Sequence, residues 1–389
     1  MVDLDNNATT PVHPDVLEAM LPFLKEHYHN PSSGYRAAKP VKTAIQTARE
    51  QVAQLINAHP DEIIFTSCGT ESNNTALKSL ARLIGRKNSQ ILTSAIEHSA
   101  VLRPVEAMAA VGFDVKTIGV NQDGRLDLDQ LTSHLNPDLP TFASLMWSNN
   151  ETGVNQPIAQ ATEQLKAANT AVHTDAIQAV GKIPVDVRAV PVDMLSISGH
   201  KLHAPKGIGA LYLRQGCRLE PLLRGGGQEH GHRSGTENVP YIVALGKACE
   251  LAANYDWSSI QQLRNHLEQR LTSEIEGVHL NGSREHRAPN ICHASFDHCE
   301  GAGLLILLDE AGIHLSTGSA CMTGKQQPSH VQEAMGFSDE RAKSSLRISL
   351  SRFTTPEDID TAATEIAKAV KKLRAIQSPL TGPVQVYRG

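Results

Sequence analysis

The sequence predicts an α/β protein, a mostly parallel sheet covered by helices on both faces, followed by a smaller α+β domain. Three observations carry that expectation. Short runs rich in β-branched residues recur between residues 62 and 198, and stretches of helical period separate several of them. Strand and helix alternating at this spacing argue for a doubly covered parallel sheet. Past about Asp256 the rhythm thins into two long helices that frame the remaining strands.

Taken in order, Val16, Leu17, Met20, Leu21 and Leu24 fall on one face of a helix opened by Pro14 and Asp15. A second helix is expected over 38–56. Strands are expected at 62–66, 90–94, 113–120, 141–147, 170–175 and 192–198, with helices at 70–84, 100–111 and 158–168 between them. The closing region carries helices at 258–275 and 356–373. In the second of these, Ile359, Ala362, Ala363, Ile366, Val370 and Leu373 form one stripe. Segments 290–296 and 345–351 read as strands. The division expected is a large domain at 13–255 and a small one built from 1–12 and 256–389. Residues 378–389, with two prolines and two glycines, form a loosely held tail in this reading.

Composition narrows the function classes. With 36 basic and 41 acidic side chains the net charge is −5, so no basic excess points to nucleic acid or to an anionic membrane. No window approaches the roughly 20 apolar residues of a membrane helix, and the acidic start MVDLDNNATTP does not read as a cleaved signal. Six cysteines without a C-x-x-C pair suit a reducing, cytoplasmic setting, where any special cysteine is special for its reactivity. Aromatic residues are only 4% while histidines number 18, so the core leans on aliphatic side chains and most histidines are expected at the surface.

Several motifs fall away. GSACMTGK at 318–325 has five residues between its glycines and Gln326 where a phosphate loop needs Ser or Thr. KGIGAL at 206–211 lacks a third glycine and precedes a strand. Cys292, His293, His298 and Cys299 lack metal-ligand spacing, so no metal is expected. No G-x-S-x-G elbow appears.

Four strand ends hold the chemistry. Ser198, Gly199, His200 and Lys201 follow one apolar strand and precede another, and a lysine there suits a lowered-pKa amine that forms a Schiff base with an aldehyde cofactor. In isolation an ordinary solvent-reaching loop lysine is the commoner fate of such a residue. Asp175 closes a strand, with Gln178 three residues on; a carboxylate there suits the ring nitrogen of a pyridinium, or simply caps a helix. Gly69 and Thr70 open a helix whose free N–H groups would cradle a phosphate. His98 follows a further strand, where an imidazole could stack on a planar ring.

The chain resembles the pyridoxal-phosphate enzymes of the class V aminotransferase superfamily, and within it the cysteine desulfurases of the NifS/IscS type. The resemblance rests on LDNNATTP at 4–11, CGTES at 68–72, IEHSAVL at 96–102, SNNETG at 148–153, HTDAIQAVG at 173–181, SGHK at 198–201, GGGQEHGHRSGT at 225–236, STGSAC at 316–321 and SSLRISLSRFTT at 344–355. It implies the seven-stranded sheet of fold type I. It implies that Lys201 holds pyridoxal 5'-phosphate and moves protons at the substrate Cα, that Asp175 pairs with the ring nitrogen, that Gln178 donates to the ring phenolate oxygen, and that His98 stacks on the ring. Gly69, Thr70, Ser198 and His200 would bind the phosphate with Thr236 from a second subunit, making a homodimer. Arg347, with Asn150 beside it, would clamp the carboxylate of L-cysteine. Cys321 would be the nucleophile that takes sulfur as a persulfide, leaving alanine, and passes it to an acceptor protein such as an iron–sulfur scaffold. The loop after Cys321 and the short tail differ from relatives, which leaves the acceptor open. A selenocysteine lyase or another C–S lyase of the superfamily is the nearest alternative; a catalytically silent sulfur-assembly scaffold is a remote one.

Overall fold

The computed structural model describes residues 1–317 and 328–377. Among them, the strands in chain order are β1 (Val2–Asp3), β2 (Ile63–Thr66), β3 (Gln90–Ser94), β4 (Asp114–Ile118), β5 (Thr141–Ser144), β6 (Ala171–Asp175), β7 (Met194–Ser198), β8 (Gly209–Leu213), β9 (Val278–Leu280), β10 (Ile291–Phe296), β11 (Ile313–His314) and β12 (Ser345–Ser349). Seven of these form one sheet in the order β2-β8-β7-β6-β5-β3-β4. Every neighbouring pair is parallel except those that β8 makes with β2 and β7. The ten residues between β7 and β8 are too few for a helical crossover, so the chain returns beside β7 in the opposite sense. All six other strands therefore end at the same edge.

The sheet is buried on both faces, and this explains its near-continuous apolar runs. In β2, Ile63 and Phe65 face one core with Val52, Val172 and Ile197, while Ile64 faces the other with Leu77, Val101 and Phe142. The strand expected at 141–147 closes formally at Ser144. Its pairing nonetheless runs on, since the N–H groups of Leu145 and Trp147 donate to the carbonyls of His173 and Asp175. Helices Pro14–Lys25 and Lys39–Leu55 occur where their stripes place them. Helix Val239–Ala253, which packs against both, was not among the sequence expectations because it is apolar almost all round and shows no stripe. Its Gly246 lets the helices approach so closely that a Cβ there would lie 2.5 Å from the Ala48 Cα.

A separate core gathers Leu4, Leu267, Phe296, Leu304, Ile348 and Ile366. It lies among the antiparallel sheet β12-β10-β9, the parallel pair β1-β11, and helices Ser258–Glu274 and Pro356–Gln377. The N-terminal segment joins the two cores. Leu4 is fully buried in the second, the Asn7 N–H donates to Ser349 Oγ (2.9 Å), and the Thr10 N–H reaches the carbonyl of His200. Residues 5–10 are thereby laid across the edge where the parallel strands end.

Candidate active site

At that edge lies a cavity of about 360 Å³. Its lining includes Gly69, Thr70, His98, Asn150, Asp175, Gln178, Ser198, His200, Lys201 and Arg347, ten of the residues singled out from sequence. Thr236 does not line it: this residue is exposed and borders a smaller cavity of about 160 Å³ beside Phe65 and Gly207. Cys321 and the tail at 378–389 lie outside the described residues.

Lys201 ends a single 3-10 turn, Gly199–Lys201, that directly follows β7. The turn is tight because a Cβ on Gly199 would meet Ile208 at 2.8 Å. Lys201 Nζ donates to the carbonyls of Asn7 and Ala8, the latter at 2.8 Å. Burial and then the Arg347 guanidinium push its amine down to about 8, partly opposed by Asp5 and Asp175. A group so placed gives up its proton readily and becomes a nucleophile and base.

Asp175, the last residue of β6, is buried. Asn73 Nδ2 donates to its Oδ2 (2.7 Å) and the Ile177 N–H to its Oδ1 (3.0 Å). The second bond closes a turn, but no helix starts between β6 and β7, so Asp175 is not the helix cap that the sequence also allowed. Burial pushes the carboxyl up, opposed by the hydrogen bonds from Asn73 and Ile177 and by the charges of His98 and Lys201. A cation set against it would restore its ionisation. His98 caps helix Ser99–Ala110 by accepting the Ala100 N–H on Nδ1 (3.1 Å), which places the proton on Nε2 of the neutral ring. The cleft walls hold it below the usual imidazole range, Asp175 working against this and Lys201 and His330 with it.

At the other end Gly69 begins the helix Gly69–Ile84, whose first N–H groups have no intrahelical acceptor. A Cβ on Gly69 would sit 2.2 Å from Ile177 Cδ1 and 3.1 Å from Ser198 Cβ, so only glycine leaves the backbone open here. His200 stands alongside, its Nδ1 3.2 Å from Thr9 Oγ1; burial, then Lys201, pushes it down to about 4, so it presents a neutral ring. Helix N-terminus, hydroxyls and neutral imidazole together make an anion cradle. Across the cleft Arg347, on β12, donates to the Asn150 carbonyl (3.1 Å) and to Asp5 Oδ1 (2.8 Å), while its buried Nε lacks a partner. Asn150 thus meets Arg347 through its backbone rather than its side chain.

Sequence reasoning missed Asp5, Asn7 and Asn73, although LDNNATTP and TESNN are runs of polar residues beside predicted elements. It also missed two buried acids. Glu97 accepts from Ser94 Oγ and from the Met146 N–H, its second oxygen has no partner, and burial pushes it up to about 8. Glu151, held by Ser329 Oγ, is pushed up to about 7 by burial. A raised acid holds in the folded state a proton that the unfolded chain has released. Its contribution to stability is full below the ordinary carboxyl range and is lost as pH rises through the folded value. Glu97→Gln, which cannot ionise, is therefore expected to lose less stability than the wild type between pH 6 and 9 in urea unfolding. Parallel pH dependences would contradict the assignment.

Histidine burial also differs from expectation. His173 bridges Ser144 and Ser196 across three strands, and His293 sits in β10 against Asn281; burial pushes both down to about 3. Among the described residues no group of histidines, cysteines and acids could hold a metal ion. Of the five described cysteines, all unpaired, Cys249 is buried with its thiol pushed up to about 12, and Cys292 and Cys299 are buried and raised as well. Burial and Asp193 push Cys217 up to about 11. Cys68 departs from the structural role expected of it in one respect: it caps helix Gly69–Ile84 through Sγ and also lines the cleft.

Comparison with known proteins supplies independent context. The sequence profile of the family described as Aminotransferase class-V matches residues 2–361. A cysteine desulfurase of Nostoc sp. is 45% identical over 379 residues, 97% of this chain and 94% of its own length. The cysteine desulfurase NifS of Azotobacter vinelandii is 43% identical over 391 residues, 99% of this chain and 96% of its own. Among solved structures, a NifS-like protein superimposes with a TM-score of 0.89 at 38% identity, covering 96% of this chain and all of that one.

Proposed function

The chain belongs to the class V aminotransferase family and within it to the cysteine desulfurases, which convert L-cysteine to L-alanine with transfer of its sulfur, and on that premise we propose how its residues divide the work. The observation that carries the proposal is the convergence on one cavity of Lys201, Asp175, Gln178 and His98, from three strand ends of the large sheet, and of Arg347 from β12. Pyridoxal 5'-phosphate, when bound, supplies an electron sink for carbanion chemistry at the substrate Cα. The residues present fit it: Gly69, Thr70, Ser198 and His200 would hold its phosphate, Asp175 its ring nitrogen, Gln178 its ring oxygen and His98 its face, with Lys201 as the attachment point.

Arg347 binds the carboxylate of L-cysteine, exchanging its contact with Asp5 for one of like charge. Lys201 Nζ, freed of its proton, removes the proton from Cα. The Cys321 thiolate attacks the substrate sulfur; an S–S bond forms as the substrate S–Cβ bond breaks with its electron pair going to Cβ, Cβ takes up a proton, and Lys201 returns a proton to Cα to give alanine. The persulfide on Cys321 passes its outer sulfur to an acceptor protein of the kind that assembles iron–sulfur clusters. Free thiols throughout the described residues suit a reducing, cytoplasmic setting.

A homodimer completes the phosphate site through Thr236 of the partner subunit. Two features support this. Thr236 is exposed and does not line its own cleft, and its loop is tethered by the buried Arg49–Glu229 pair (2.8 Å) and by Arg233 to Glu71 (3.0 Å), beside Thr70.

Replacing Arg347 tests the carboxylate clamp. Loss of a charge-assisted pair costs about 2–3 kcal/mol, so Arg347→Leu is expected to lower kcat/KM for L-cysteine by roughly 30- to 150-fold, mostly through KM. Alanine formation from L-cysteine, and the same assay with L-selenocysteine, measures this; an unchanged KM would remove Arg347 from the substrate site.

A further inference from the structure

Lys182 is 6% exposed, yet none of the salt bridges among the described residues includes it. It follows Gly181, whose φ of +73° closes the turn after β6. Its Nζ donates to Gln178 Oε1 at 2.6 Å, and Gln178 Nε2 donates to the Asn7 carbonyl at 3.2 Å. Lysine offers only donors while charged and a carbonyl only accepts, so the two neighbours jointly fix which end of the Gln178 amide faces which way. The amide nitrogen carries two hydrogens and spends one on Asn7. The other belongs to a side chain that lines the cleft. A buried amine is costly to keep, and the charges of Lys201 and Arg347 do not offset that cost, since both repel it.

We propose that Lys182 is a positioning residue of the desulfurase: by donating to Gln178 Oε1 it holds the amide with an Nε2–H turned into the cleft, as the donor for the ring oxygen of the cofactor. This rests on the role assigned to Gln178 under the proposed function. Without Lys182, Oε1 loses its buried donor and the amide can rotate or flip, so the cleft meets an oxygen part of the time. Proton chemistry at the ring would then shift, because a donor to an oxygen anion stabilises the deprotonated form. The charged or titratable groups around Lys182 are Lys201, Arg347, His200 and His203, and the test must separate their fields from the hydrogen bond.

The experiment is a spectral pH titration of the holoenzyme dimer reconstituted with pyridoxal phosphate, reading the pH at which the visible band of the bound cofactor changes form. Gln178→Ala and Lys182→Met are each expected to raise that pH by about one unit, the scale of one hydrogen bond to a charged group. The double variant is expected to match Gln178→Ala alone. Lys182→Gln, uncharged but still a donor, is made alongside in case Lys182→Met does not fold, and is expected to stay near the wild-type pH. Lys182→Met at the wild-type value, a Lys182 effect that persists in full without Gln178, or Lys182→Gln shifting as far as Gln178→Ala each overturns the proposal. Gln178→Ala at the wild-type value would instead overturn the role given to Gln178 itself, and a wild-type protein that takes up no cofactor would overturn the reading of the cleft.

Discussion

Lys201→Ala is expected to abolish alanine formation from L-cysteine, by more than about a thousandfold, and to remove the yellow absorption of attached cofactor while leaving the protein folded. The magnitude follows from two roles lost at once. The amine is both the attachment point and the base at Cα, and among the described residues the cleft offers no second amine at that place: Lys182 is buried and engaged by Gln178. The fold should survive because Lys201 contributes only two hydrogen bonds, both to carbonyls of the N-terminal segment that Thr10 and Asn7 also anchor. Added amines of small size would restore part of the Cα step if proton transfer is what is missing. A variant that formed the yellow band, and kept cofactor covalently attached after borohydride reduction, denaturation and gel filtration, would show the wrong lysine had been chosen.

Cys321→Ala is the second large effect. It is expected to stop sulfur transfer from L-cysteine, by at least about a hundredfold, while the cofactor stays bound and its spectrum still responds to the substrate. The environments of the other thiols argue for this. Cys249, Cys292 and Cys299 are buried and hold their protons, and Cys217 is held by Asp193 away from the cleft. Cys68 alone among the described cysteines lines the cavity, so Cys68→Ala is the necessary comparison. Its thiol accepts the Glu71 N–H at 3.4 Å, and its loss should cost about 1 kcal/mol of stability as a weakened cap and little activity. The reverse pattern would move the nucleophile to Cys68.

The candidate site was readable in sequence because the parallel sheet collects strand ends at one edge, and each end is marked locally. HTD, SGHK, CGT and IEH are polar residues set directly after apolar runs, so Asp175, Lys201, Gly69 and His98 announce themselves. Their partners do not. Asn73 meets Asp175 across 102 positions and Arg347 meets Asp5 across 342, and no local pattern encodes either pairing. The same holds for β1, β9 and β11, two or three residues long, which exist only because tertiary packing brings their partners alongside. Buried His173 and His293 escaped notice because their partners lie on other segments, invisible in the sequence: Ser144 and Ser196 for the first, Asn281 for the second. Helix Val239–Ala253 shows the opposite failure: apolar almost all round, it carries no periodic signal.

The most direct test of the central claim is a single turnover of the reconstituted enzyme with L-cysteine and no reductant, counting alanine and locating sulfur by mass spectrometry of the peptides. One alanine per active site, with one added sulfur atom on the peptide that carries Cys321, is the predicted result. Pyruvate in place of alanine, or alanine with the sulfur on another cysteine, would contradict it.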